Sequence, residues 1–167
     1  QGWTSGKYAE NFAKASAGTG QYKSTTAAVS EIASGLWHIA NEVASAKIAN
    51  CFNEAGDPVF DKEESRFSNN STKDFADNIR SIQNVYLGQY QGKKGLGLSD
   101  AVAKGNAALD TKVKTAITEA IQAIEAMGVF SKAIFDDKAK VTAAQEKVAA
   151  LRDLLDSELK AYVLTLK

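Results

Sequence analysis

The stretch "VSEIASGLWHIANEVASA", Val29 to Ala46, decides the fold. Its apolar residues Val29, Ile32, Leu36, Ile39, Val43 and Ala46 step alternately by three and four, which lays one stripe along a helix and fits no strand. A helix of this kind must hide its stripe, and the rest of the chain supplies three more segments with the same need. Ser71 opens the second, with Asp74 three residues on as capping partner; Phe75, Ile79, Ile82 and Tyr86 form its apolar face, and it runs to about Tyr90. Leu109, Val113, Ile117, Ala120, Ile124 and Met127 mark the third. The last carries Val141, Ala144, Val148, Leu151, Leu155, Leu159, Tyr162 and Leu166. No segment sustains a two-residue alternation. Four stripes that must face one another predict an all-α fold, an up-down four-helix bundle with a short extra helix.

The extra helix is expected from a Ser99 cap through Lys104, after the glycine-rich "GQYQGKKGLG" (88–97). The bundle occupies residues 22–167. Residues 1–21, rich in Gly, Ser and Thr, read as a connecting segment with a short helix in "KYAENFAKA", where Tyr8 and Phe12 stand one turn apart. "GVFSKAIFDD" (128–137) reads as a connection carrying apolar anchors.

The totals exclude several classes of function. Lysine plus arginine number 20, as do aspartate plus glutamate, so no overall field favours nucleic acid or anionic lipid. No apolar run approaches the roughly 18 residues that cross a bilayer. Gln1-Gly2-Trp3-Thr4 has neither a basic start nor an apolar block, so no signal peptide is expected there. The chain is read as beginning at a mature N-terminus or partway through a longer protein. A single cysteine, Cys51, excludes an internal disulfide and is expected in a loop with no chemical role. With one histidine and one cysteine, a Cys/His zinc site cannot be built within the chain. There is no HExxH, and a Ser-His-Asp triad would need His38. "DKEES" and "NNSTKD" lack the spacing of a calcium loop. "GKKGLG" lacks the preceding strand and the Lys-Ser/Thr ending of a phosphate loop.

A few polar residues stand out against this background. His38 and Glu42 are one turn apart, a spacing that can present two metal ligands together, but His38 points away from the stripe and reads as solvated. Glu42 lies on the flank, seven residues after Gly35. A mid-helix glycine costs about 1 kcal/mol against alanine, which suggests close approach of another helix or a ligand, with chance tolerance as the alternative. Asn78 borders the apolar face of the second helix, where its amide needs partners across the bundle or in the preceding loop. In "EESRFSNNSTKDF" (63–75), a Ser71 cap and Phe67 packed as a lid explain the helix start. Glu64, Ser65, Arg66, Ser68 and Asn70 are left over. They offer acceptors, donors and a guanidinium in one short loop, which suits either a polar ligand or ion, or a plain connection.

Four stretches in order, "IANEVASAKIA" (39–49), "EESRFSNNSTKDFADNIRSIQNVYLG" (63–88), "GLSDAVA" (97–103) and "ALDTKVKTAI" (108–117), resemble the C-terminal half of imelysin-like proteins, the M75 peptidase family. The resemblance covers most of residues 22–165. It implies a bacterial, iron-regulated protein of the cell envelope, periplasmic or membrane-anchored. It also implies two helical halves with a site where they meet, and places Glu42, Glu64, Ser65, Arg66, Ser68, Asn70 and Asn78 in or near that site. The family's GxHxxE motif, which belongs to the N-terminal half, is absent; "GLWHIANE" (35–42) has other spacing. The chain therefore resembles one half of such a protein, with the GxHxxE-bearing half as its expected partner. Oxygen-rich ligands shared between the halves would suit iron or another hard cation. The implied functions are binding of iron, an iron-containing ligand or another polar ligand in iron uptake, or metallopeptidase activity at a composite site. The chain itself shows carboxylates and amides but no nucleophile paired with a base. An interaction module whose bundle face docks a partner is the remaining alternative.

Overall fold

Helices form where the stripes require them, and the computed structural model describes residues 8–166. Gln1–Thr4, expected to carry no signal peptide, lie outside the described residues. A short α1 (Tyr8–Ala13) leads to α2 (Thr25–Asn41), which Ser24 caps by accepting the Ala27 N–H at 3.0 Å. The same helix continues from Glu42 to Ile48 with wider, π-type turns. Next come α3 (Ser71–Leu87) and a two-stranded hairpin, β1 (Gln89–Tyr90) against β2 (Lys93–Lys94). Then follow α4 (Leu98–Gly105), α5 (Ala107–Ala126) and α6 (Phe130–Asp136). The last long helix is α7 (Lys138–Leu154), which passes through a second π-type stretch at Leu155–Leu159 into α8 (Lys160–Val163).

The expected four-helix bundle is the observed architecture. α2 packs on α3 and α7, and α5 packs on the same two helices, so the four long helices close around one core. Phe75, Ile79, Ile82, Val113, Ile117, Ile124, Val148 and Leu151 are all buried there. Phe130 of α6 meets Phe75 edge to face, with ring centroids 5.2 Å apart, and plugs one end.

Several local expectations are corrected. The buried stripe of α2 is rotated from the expected one: Ala33, Leu36, Ala40, Val43 and Ala44 are buried, while Val29, Ile32 and Ile39 are only partly covered. Small side chains let neighbouring helices approach along this face, so alanines carry contact that hydropathy assigns to isoleucines. The expected connection "GVFSKAIFDD" contains α6, whose Phe130, Ala133 and Ile134 are buried. The second helix stops at Leu87 instead of Tyr90, because Gly88 turns the chain left-handed at φ 65°. Ser99 is not a cap. The Gly97 N–H at the start of α4 donates to the Asp100 carboxylate at 2.8 Å, and Ser99 turns inward.

Ser99 and Tyr86 both donate to one oxygen of the buried Asp110 carboxylate, at 2.7 and 3.1 Å, and Lys114 donates to the other at 2.6 Å. This node ties α3, α4 and α5 together. Burial works to raise the Asp110 carboxyl pKa, but the Lys114 ammonium and the two hydroxyls outweigh it and hold the group below the usual carboxylate value. A depressed folded pKa stabilises the fold above the unfolded value of about 3.9, and that stabilisation is lost as pH falls through the folded value. Denaturant titrations from pH 7 to pH 2.5 should show stability falling below about pH 4, with a shallower fall in Asp110→Asn.

Two glycines admit no side chain. A Cβ on Gly88 would lie 2.5 Å from the Gly97 nitrogen, and one on Gly97 would lie 2.4 Å from the Gly88 nitrogen. Gly35 is the opposite case: nothing approaches within 4 Å of its missing Cβ, so no helix of this chain explains it. Gly97→Ala should destabilise the fold by about 1–3 kcal/mol or more, whereas Gly35→Ala should raise stability by about 0.5–1 kcal/mol. Midpoints of chemical unfolding check both signs.

Candidate functional site

The π-type turns at the end of α2 decide which side chains meet. In such a turn the backbone bonds from i to i+5, so residues five apart come round to the same side, as they do not in an α-helix. Val43 and Ile48 therefore both face the core, and Glu42 and Lys47 both face a hollow beside α3. This hollow, of about 300 Å³, is walled by His38, Ile39, Glu42, Val43, Lys47 and Asn78. The Lys47 ammonium pairs with Glu64 at 2.8 Å. Among the described residues no hydrogen bond or ion pair engages the Glu42 carboxylate, the His38 imidazole or the Asn78 amide. Asn78 bonds neither across the bundle nor back to the loop through its side chain. The hollow thus presents an acid, an imidazole and an amide, with an ammonium at its edge.

The other expected site residues do not line this hollow; Glu64 reaches it through Lys47, and the rest spend their polar groups mostly on Asp74 and Asp61. The Asp74 carboxylate accepts from Ser65 Oγ and Asn70 Nδ2, each at 2.6 Å, and Ser68 Oγ donates to the Ser65 carbonyl at 3.1 Å. Arg66 pairs with Asp61, and its guanidinium lies 4.7 Å from the Phe67 ring centroid and 5.6 Å from that of Phe60. Glu42 and Asn78 are therefore together in the hollow, Glu64 is one ion pair away, and Ser65, Arg66, Ser68 and Asn70 shape the adjoining loop. Two expectations for this loop are corrected. Phe67 is no lid, being 86% exposed. Ser71 does not cap α3; it is buried and donates to Glu63 at 2.7 Å.

Glu63 is the residue that sequence reasoning missed. Its side chain is buried, and one carboxylate oxygen accepts from Ser71 Oγ and from Ser131 Oγ of α6 at 2.8 Å. The other oxygen is buried without a partner. The carboxylate anchors the loop at its first residue and so positions Glu64 toward Lys47. Neighbouring acids look equivalent in "EE"; their partners, Ser71 and Ser131 for Glu63 and Lys47 for Glu64, distinguish them only once the chain is folded. Cys51, expected in a loop, is buried at the end of the same helical run, with its thiol donating to the Lys47 carbonyl at 3.3 Å. Burial, with the Glu63 charge adding, pushes its pKa up to about 11.

The model of the peptidase M75 family, imelysin, matches residues 1–158. The chain belongs to the imelysin family. A crystallised imelysin peptidase from Bacteroides ovatus is 36% identical, with a TM-score of 0.83 over 95% of this chain and 46% of that one. An iron-regulated protein A precursor from Parabacteroides distasonis is 28% identical, with a TM-score of 0.78 over 95% of this chain and 47% of that one. This chain thus spans less than half the length of either structure. No curated protein matches it.

Whether these residues fit a metal follows from the donor set. Among the described residues no three His, Cys, Asp or Glu side chains converge. The hollow offers one carboxylate and one imidazole, fewer than the usual protein set. The described residues by themselves do not bring together a complete set of metal donors.

The state of Cys51 gives a direct check on the packing behind the hollow. At pH 8 the native thiol should react with a disulfide reagent about two orders of magnitude more slowly than the unfolded one, given its raised pKa and burial. Absorbance kinetics with and without guanidinium measure the ratio.

Proposed function

We propose that this imelysin-family chain is the ligand-binding half of a bacterial envelope protein serving iron acquisition, periplasmic or membrane-anchored. Its hollow contributes Glu42, Asn78 and His38 to a site that takes iron, an iron-containing ligand or another polar ligand. A second helical unit, carrying the family's GxHxxE motif, completes the site. The observation that carries this reading is that Glu42, His38 and Asn78 line one hollow with no side-chain hydrogen bond or ion pair among the described residues. A solvated acid alone would be ordinary, but a half-buried amide without a partner beside an acid and an imidazole suits a ligand or an opposing surface. The Parabacteroides relative is described as iron-regulated, and both relatives are about twice as long, which accords with a cargo held between two units.

Metallopeptidase activity is the second reading, and what favours it is the Bacteroides ovatus relative's description as a peptidase. In this chain, the Glu42 carboxylate is the available general base and the Lys47 ammonium an available charge for a developing oxyanion. Any metal, and the activated water it supplies, would depend on donors from the second unit.

Mass measurement on native material should find a second helical polypeptide, joined or associated. Calorimetric titration of that assembly with ferric citrate and with haemin should give saturable binding of at least one, weakened about tenfold or more in Glu42→Ala, the scale of one lost charge-assisted contact. Absence of binding to either probe, or equal binding by the variant, overturns the iron reading. Chelator-sensitive cleavage of an unfolded protein by the same assembly would favour the peptidase instead.

A further inference from the structure

A larger hollow than the one around Glu42 lies elsewhere in the chain. It opens between the C-terminal half of α3 and the hairpin, measures about 840 Å³, and is walled chiefly by carbon. Val85 and Tyr90, 46% and 65% exposed, supply its apolar surface, with Ser81 and Asn84 along the helix. A second hollow of about 360 Å³ adjoins it and is mainly polar; Gln91 and Gly92 are added to its wall. Asn84, Gln89, Tyr90, Lys93 and Lys94 border both.

The glycine-rich stretch 88–97 accounts for the shape of this place. Gly88 and Gly97 cross in backbone contact, and Gly95 N–H donates to the Gly88 carbonyl at 2.7 Å, so the base of the hairpin is fixed to the end of α3. Gln91 and Gly92 turn the chain at positive φ, 48° and 75°, the pattern of a tight two-residue hairpin. The glycines therefore build a rigid hairpin and no phosphate cradle. What they do not explain is the lysine pair. Neither Lys93 nor Lys94 has a carboxylate partner among the described residues, and no acid lines either hollow. From Ser81 to Ser99 the chain has no acid at all. In a molecule with balanced charge, that is a local positive field beside a preformed apolar wall.

The geometry points to a binding site for a small amphiphilic anion, its aromatic or short aliphatic body against Val85 and Tyr90 and its carboxylate beside Lys93 and Lys94. Each of the two hollows falls within the range of small-molecule pockets, about 300–1,000 Å³. A carboxylate head is matched by the two ammoniums and by the amides of Asn84, Gln89 and Gln91. A neutral or cationic head of the same shape is not. The lysines select and the wall retains. This site is independent of the hollow around Glu42.

Nuclear magnetic resonance titration of the whole 167-residue chain tests it, with 4-phenylbutanoate as the probe and 4-phenylbutan-1-ol and 4-phenylbutylamine as matched controls. The expected result is saturable amide shifts confined to residues 81–95 with the acid, weaker with the alcohol and weakest with the amine. Lys93→Gln/Lys94→Gln, with both changes on exposed positions, should keep the native spectrum and lower acid affinity about fivefold, the scale of two solvent-facing ion pairs, while leaving the alcohol unchanged. No saturable shifts at 81–95, equal response to acid and alcohol, or unchanged acid affinity in the double variant would each overturn the proposal. In the last case the lysines merely offset the carbonyl end of α3.

Discussion

Apolar burial along one seam is the constraint on which everything else depends. α5 meets α3 on one side and α7 on the other, and α2 closes the square. The core residues contributed by each helix are almost wholly withdrawn from water, at roughly 25 cal/mol for each Å² of apolar surface removed. With that seam set, the loops have little freedom. The chain between α2 and α3 must return to the end where Phe130 meets Phe75, and the hairpin must fold over the far end of α3. The hollow around Glu42 and the one beside the hairpin both arise where these forced returns leave a helix flank uncovered.

Two buried carboxylates fix those returns. Asp110 gathers donors from α3, α4 and α5, and Glu63 gathers serines from the start of α3 and from α6. A carboxylate taken out of water is costly unless donors meet it, so each one makes its surroundings specific. Asp110 is met on both oxygens. Glu63 is met on one, and the other is left bare inside the protein. Its loop is the one that carries Glu64 to Lys47, so the less completely satisfied of the two nodes stands directly behind the candidate site.

The bundle was legible because its helices are long and their spacing of three and four repeats without interruption. What escaped the reading has physical causes. Periodicity could not see that Ala33 and Ala40, and not Ile32 and Ile39, face inward, since a small residue buries little area yet permits close approach. Nor could it see Lys47, because an α-helical projection turns that side chain away from Glu42. The start of α3 looked like a serine cap, but a buried acid eight residues upstream competes for the same hydroxyl. Glu42 and Asn78 were legible as flank residues with unmet polar groups, and they do share a hollow. Ser65, Ser68 and Asn70 were legible only as polar; that they hold Asp74 and one another requires the folded loop.

A widened helical turn also changes what the remainder of its helix can present. Keeping both Val43 and Ile48 inward requires one residue more than a regular α-ladder would use over the same rise. The run 42–48 therefore holds one residue beyond the regular ladder without twisting the remainder of the helix out of phase. A sister protein with a regular ladder in this place would be one position shorter and would keep its hydrophobic interior. It would lose the shared facing of Glu42 and Lys47 toward one hollow, so the irregular backbone sets which charges this wall presents without altering the shape behind it.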